Sequence, residues 1–128
     1  MTLEKNMHEL EAQLSELSAQ QGLALIADLF PGKVTFSTSL GQEDQVITQL
    51  IAEANLPISI FSLDTGRLFP ETLDLLSRTE AKYKQNIQVY YPTTDSVEKL
   101  VSEIGINGFY ESVENRKSCC FVRKVEPL

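Results

Sequence analysis

The sequence predicts an α/β fold built on a parallel sheet with helices on both faces. Two observations lead there. Short apolar runs of strand type alternate along the chain with amphipathic runs of helical period, and each run is closed by Pro, Gly or a small polar cluster. Strands that alternate with helices of this length require crossover connections, and right-handed crossovers make the sheet parallel.

Leu3, Met7, Leu10, Leu14 and Leu17 recur at spacings of four and three and mark one apolar stripe on a first helix, expected to pack on the domain's own body rather than to form a coiled-coil seam. A second helix runs through Leu23-Ala24-Leu25-Ile26 and stops at Pro31-Gly32. Val34 to Ser37 reads as a short buried strand. Glu43 to Ala54 reads as a helix with Val46, Ile47, Leu50, Ile51 and Ala54 on its apolar face. Ile58 to Leu63 is a second strand, and Pro70 suits the first turn of a helix reaching about Lys84. Ile87 to Tyr91 is a third strand, stopped by Pro92. Asp95 or Ser96 then caps a helix carrying Val97, Leu100, Val101 and Ile104 that closes near Gly105. The division expected is N-terminal helices over 1–33 and an α/β domain over 34–128. Because the pattern breaks off at Pro127-Leu128 without a closing helix, that domain reads as truncated, with its C-terminal remainder absent.

Composition narrows the function. A net charge of −7 repels polyanions and argues against a general nucleic-acid binder. No apolar run approaches the roughly 18 residues of a membrane span, and the first residues carry acids rather than a signal-type apolar core. A cytoplasmic protein away from membranes is expected. Against the acidic background, Arg116, Lys117, Arg123 and Lys124 form a local positive island.

In a parallel sheet the C-terminal ends of all strands open onto one edge, where ligands bind. Three polar loops should converge there: Ser37-Thr38-Ser39-Leu40-Gly41-Gln42-Glu43-Asp44, Asp64-Thr65-Gly66-Arg67 and Pro92-Thr93-Thr94-Asp95. Small residues before a helix let backbone N–H groups approach an anion. Taken singly, each loop is equally a cap or a turn; together they favour a nucleotide-sized anion. The first is not a Walker loop, since no Gly-Lys-Ser/Thr follows. The Asp-Thr-Gly of aspartic proteases belongs to all-β proteins, which this alternation rejects.

Cys119 and Cys120 are the two cysteines, and they are adjacent. Neighbouring Cα atoms stand about 3.8 Å apart, too close for an unstrained disulfide. His8 is the single histidine, so a multi-histidine metal site within the chain is excluded. Two thiols flanked by four cations favour the thiolate form, suited to metal or cluster ligation or to nucleophilic attack. The bland alternative is a pair of small buried apolar residues.

At this point the sequence resembles a known family. The loop Ser37 to Asp44 is similar to the modified pyrophosphate loop of adenylyl-sulfate and phosphoadenylyl-sulfate reductases. Leu63-Asp64-Thr65-Gly66-Arg67-Leu68-Phe69-Pro70-Glu71-Thr72 resembles that family's second signature. Cys119-Cys120 followed by Arg123-Lys124-Val125-Glu126-Pro127-Leu128 resembles its cysteine-pair motif. The resemblance implies an adenine-nucleotide α-hydrolase-like, Rossmann-like fold, so that 34–128 becomes a partial nucleotide-binding domain. It implies Ser37, Ser39 and Gly41 as phosphosulfate contacts, and Leu63, Asp64, Thr65, Gly66 and Arg67 on the nucleotide side. It further implies Cys119 and Cys120 as two of four ligands to a 4Fe-4S cluster, and Lys124 as the cation linking cluster and sulfate. The implied reaction reduces adenylyl sulfate to sulfite and AMP, with thioredoxin or glutaredoxin as reductant and an S-sulfocysteine intermediate. Its nucleophilic cysteine and second cluster pair are not among these residues, so the segment alone is expected to be inactive.

Rival readings are a phosphoadenylyl-sulfate reductase, a pyrophosphate-loop adenylyltransferase, which leaves the cysteine pair without a role, and a non-catalytic binding fragment. Homo-oligomerisation stays open at this level.

Overall fold

Three short strands pair in parallel in sequence order, β1 (Thr35–Ser37), β2 (Ser59–Leu63) and β3 (Ile87–Tyr90). The computed structural model describes residues 3–128, with side chains from residue 6 onward; Met1, Thr2 and the Leu3 side chain of the expected stripe lie outside the described residues. Thr35 stands opposite Ser59 and Ser37 opposite Phe61, while Leu63 stands opposite Tyr90. The helices are α1 (Leu3–Ser15), α2 (Ala19–Leu29), α3 (Gln42–Glu53), α4 (Pro70–Tyr83), α5 (Thr94–Ile104) and α6 (Val113–Cys120). A 3-10 turn at Gly108–Tyr110 precedes α6, and a π turn at Phe121–Val125 continues it.

Local chemistry explains the boundaries. Ser18 caps α2 through a reciprocal capping box with Gln21. Pro70 opens α4, and Lys84 ends it in the left-handed conformation, with φ 51°. The N-cap of α5 is Thr93, ahead of the Asp95 or Ser96 expected, and Asp95 lies instead in the first turn, where its charge complements the helix dipole. Gly105 closes α5 as expected.

The core lies between the sheet and the layer of α2, α3 and α4. Ala27, Ile51, Ile58, Ile60 and Ile87 are buried together, flanked by Leu23, Val34, Phe36, Ile47, Leu56 and Leu76. α2 thus supplies part of the core of the α/β body. Right-handed crossovers through α3 and α4 in a sheet of sequential order place both helices on one face.

Three expectations need correction. β1 is buried on one face only: Phe36 packs against the core with Val34, while Thr35 and Ser37 lie on the opposite, exposed face, as does Ser59 of the central strand. On α3, Val46 is 57% exposed and Ala54 is exposed, so the apolar stripe narrows to half-buried Ile47 and Leu50 and buried Ile51, joined by buried Thr48. On α1, Met7 is 62% exposed and the stripe does not pack along the body. Its far end does make contact: Leu14 lies against Gly22, where an added Cβ would meet Leu14 Cδ2 at 3.4 Å. Residues 106–128, given no element by periodicity, hold the 3-10 turn, α6 and the π turn. α6 presents polar residues and cysteines all round, leaving no apolar period to read.

Ile51 is fully buried and Val46 is not, which separates the two by measurement. Ile51→Ala is expected to cost about 2–5 kcal/mol in urea unfolding, and Val46→Ala no more than about 0.5 kcal/mol. Equal losses would contradict the placement of the core.

Candidate functional site at the strand ends

Thr38 and Ser62, polar residues at the ends of β1 and β2, are buried and satisfied by one another and by the loop backbone. Thr38 extends the ladder by donating its N–H to Phe61 O at 2.8 Å. Its side chain is buried, and Thr38 Oγ1 accepts from Leu40 N at 3.0 Å while Thr38 O accepts from the Ser62 hydroxyl at 2.8 Å. Leu40 is itself buried and held at φ 64°, an uncommon conformation for a branched side chain. Ser39 N donates to Asp44 Oδ2 at 2.8 Å, so the carboxylate in the first turn of α3 closes the loop onto its own helix.

The second loop is built the same way. Asp64 Oδ1 accepts from Gly66 N at 2.8 Å and Thr65 Oγ1 accepts from Arg67 N at 3.1 Å. Gly66 turns the chain at φ 79°, where a side chain is strained, and a Cβ there would meet Arg123 Nη1 at 3.0 Å. The Arg67 guanidinium reaches away from the sheet. It donates to Ile106 O at 3.3 Å and Asn107 Oδ1 at 2.8 Å and lies 4.7 Å over the Phe109 ring.

Two cavities result. The first, about 190 Å³, is lined by Ser37, Thr38, Ser39, Ser62, Leu63, Thr65, Leu68, Thr72 and Lys124. The second, about 330 Å³, is lined by Thr65, Arg67, Leu68, Phe109, Arg116, Cys119, Cys120, Arg123 and Lys124. Thr65, Leu68 and Lys124 belong to both. Lys124 therefore stands where the small-residue cavity meets the thiol cavity. A larger concavity along α1, about 620 Å³, is lined by Met7, His8, Leu10, Glu11, Leu14 and Ser15 and lies apart from these loops.

Of the residues singled out by sequence, Ser37, Ser39, Leu63, Thr65 and Lys124 line the first cavity, and Thr65, Arg67, Cys119, Cys120 and Lys124 the second. Gly41, Asp64 and Gly66 line neither and act through the backbone: Gly41 is the N-cap of α3, and Asp64 and Gly66 form the turn. The third loop, expected to converge with the others, also lines neither cavity. β3 is the far strand, about 10 Å from β1 at about 4.8 Å per strand, and Thr93 stands at the N-cap position of α5 without a side-chain capping bond. Sequence reasoning passed over Thr38, Ser62 and Arg123 as individual residues. The signal for Ser62 was present, since it is a polar residue at the third inward position after Ile58 and Ile60.

Both thiols are free, with Cys119 half-buried and Cys120 exposed. Among the described residues no cluster of three or more metal-ligating side chains occurs. The second cavity offers two sulfur donors among four cations and no carboxylate. That donor set suits one side of a thiolate-held group that carries negative charge.

A model of the phosphoadenosine phosphosulfate reductase domain matches residues 33–128. The chain belongs to that family. It is 48% identical over 120 residues to the adenosine 5'-phosphosulfate reductase of Burkholderia cepacia, covering 94% of this chain and 47% of the relative. It is 50% identical over 95 residues to the protein of the same name from Allochromatium vinosum, covering 74% of this chain and 37% of the relative. The chain thus spans about half or less of the length of these curated relatives. Among solved structures, the phosphoadenylyl-sulfate reductase of Candida auris in its phosphate complex superposes with a TM-score of 0.79 at 28% identity, covering 99% of this chain and 60% of that one. The fold is the Rossmann-like, adenine-nucleotide α-hydrolase fold of this family. Among the described residues no helix is long and apolar enough to cross a membrane.

The buried hydroxyl of Thr38 is the acceptor that holds Leu40 in its strained turn. Thr38→Val strands the Leu40 N–H, and the expected loss is about 1–3 kcal/mol of stability, measured by urea unfolding. A smaller loss than from Ser39→Ala would remove the importance given to that bond.

Proposed function

We propose that this segment is the nucleotide-loop half of an assimilatory adenylyl-sulfate reductase, forming sulfite and AMP in a cytoplasmic setting. The observation that carries the reading is Lys124, which lines the cavity at the ends of β1 and β2 and the cavity of the cysteine pair together. An anion held by the small-residue loop then lies beside an exposed cation that also lines the thiol cavity. The curated relatives named adenosine 5'-phosphosulfate reductase at 48–50% identity support the unphosphorylated substrate over its 3′-phosphorylated form.

In this reading Ser37 and Ser39 face the phosphosulfate, and Gly41 opens the N-terminus of α3 toward it. Leu63 and Thr65 wall the nucleotide side, and the turn of Asp64 and Gly66 sets their position. Arg67 holds the second loop to the 106–109 turn, so its part in nucleotide binding is that of a brace.

The chemistry is covalent catalysis in two steps. A cysteine thiolate supplied outside this segment attacks the sulfonate sulfur; an S–S bond forms, the S–O bond to phosphate breaks, and the electron pair leaves on AMP. A thiolate of thioredoxin or glutaredoxin then attacks the cysteine sulfur of the S-sulfocysteine, and sulfite departs with its electron pair. The reductant's second thiol closes its disulfide and frees the enzyme cysteine. Lys124 stabilises the charge that builds on oxygen as the S–O bond breaks.

Cys119 and Cys120 would hold one side of a 4Fe-4S cluster, whose other two ligands come from outside this segment. When bound, the cluster would supply a delocalised charge beside Lys124, tuned by the cations around it. Two adjacent thiols on consecutive positions of α6 and four cations in one cavity fit that role.

In the full-length reductase, Lys124→Ala is expected to slow single-turnover formation of S-sulfocysteine by roughly 100- to 1,000-fold, with AMP affinity changed much less because AMP carries no sulfate. A wild-type rate with a loaded cluster would refute the role of the cation. Replacing Cys119 or Cys120 by Ser is expected to abolish iron content and the brown visible absorbance. Unchanged iron in the double substitution would remove both cysteines from the ligand set.

A further inference from the structure

Among the described residues Arg123 is the buried cation, 7% exposed, and the roles assigned above use it only as one of the four charges around the thiols. Its Nη1 donates to the carbonyl of Thr65, 58 residues away in sequence, and its Nε is buried with no partner. The ion pairs of the described residues are His8–Glu11 and Asp74–Arg78, so no carboxylate neutralises Arg123. A buried guanidinium without an acid is costly, and the fold spends it on one backbone oxygen. Among the described residues that hydrogen bond is the one joining residues 113–128 to the loop 64–67. The remaining bonds of that segment go to Gly108, Ser112, Ser96 and within itself. Thr65 walls both cavities, and Arg123 shares the second with Cys119 and Cys120.

We propose that Arg123 is a positioning residue that couples the nucleotide-side loop to the cysteine pair. A nucleotide pressing on Thr65 is felt at Cys119 and Cys120 because the Thr65 carbonyl is fastened to the helix that carries them. The proposal rests on the nucleotide reading above and adds the route by which occupancy of one cavity reaches the other. Both ends of the bond lie close to regular structure: Thr65 is two residues beyond β2, and Arg123 sits in the π turn one helical turn beyond Cys119.

The test uses the full chain, reduced and stripped of metal by a chelator, with AMP as the probe. AMP affinity is measured by calorimetry, and alkylation of Cys119 and Cys120 by iodoacetamide is timed by peptide mass with and without AMP. In the wild-type protein, saturating AMP is expected to change the alkylation rate by about fivefold, the low end of ordinary coupling between sites. Arg123→Met, which removes the donor, should bind AMP with near wild-type affinity and lose that response. Arg123→Lys keeps one donor within reach of the Thr65 carbonyl and should restore part of it.

An unchanged response in Arg123→Met would overturn the proposal while leaving the nucleotide reading intact. Failure of the wild-type protein to bind AMP would instead sink the nucleotide reading. Loss of cooperative unfolding in Arg123→Lys as well as Arg123→Met would make Arg123 a structural residue, which also overturns the coupling.

Discussion

Parallel pairing of β1 with β2 and β2 with β3 makes every strand end at the same edge of the sheet, and the site follows from that register. Ser37 and Phe61 are partners in the ladder, so the loop after β1 begins beside Ser62 and Leu63, the last residues of β2, and close to the loop that follows them. The ladder runs on into the loop through Thr38 N–H and Phe61 O, which removes any slack between strand and site. Register of this kind is set by the buried alternation of Ile58 and Ile60 on β2, since a slip by one residue turns Ile60 outward and Phe61 inward. The ligand-facing geometry is thus anchored in the apolar core some distance away.

The same alternation explains why the edge is polar yet ordered. Beyond Ile60 the next inward position is Ser62, and its hydroxyl finds the Thr38 carbonyl instead of apolar neighbours. Buried hydroxyls satisfied by backbone groups cost little, and they replace bulky side chains that would fill the cavity. Leu40, Asp44 and Thr38 together hold the first loop in a shape that short polar residues alone would not keep. Strain at Leu40 is tolerated because these surrounding bonds overdetermine it.

Much of this organisation could be read from the sequence, for a physical reason. Periodicity reports burial, and the helices and strands from Ala19 to Ile104 carry a clear apolar period, so each was found within a few residues of its observed ends. Val46 and Ala54 were misplaced because period alone does not say how wide the buried stripe is; α3 buries Thr48 and Ile51, half-buries Ile47 and Leu50, and reaches α4 through Gln45, whose amide donates to Thr79 Oγ1. The segment 106–128 escaped because α6 and the π turn are fixed by polar contacts: Ser112 to Asn115 N, Asn115 to Gly108 O, and Arg123 to Thr65 O. Such bonds leave no spacing in the sequence. Site residues followed the same rule. The loops after β1 and β2 were legible as small-residue clusters before helices, whereas the bracing role of Arg67 depends on a turn 39 residues downstream.

Charge distribution is the remaining organising feature. The chain carries a net −7, yet the thiol cavity is bounded by Arg67, Arg116, Arg123 and Lys124 with no carboxylate among its lining residues. Acids placed elsewhere keep polyanions from the general surface, while the strand-end cavity carries Lys124 on its wall and the thiol cavity beyond it carries all four cations. Within that wall the cations divide their work by burial. Arg67 is spent on the 106–109 turn and Arg123 on the Thr65 carbonyl, both held by backbone oxygens that fix their direction. Lys124, next in sequence to the buried Arg123, keeps an exposed side chain, and it is the cation common to both cavities. Neighbouring positions on one turn therefore separate two demands that a single cation could not meet, fastening the thiol-bearing helix to the sheet and leaving a charge free to meet a ligand.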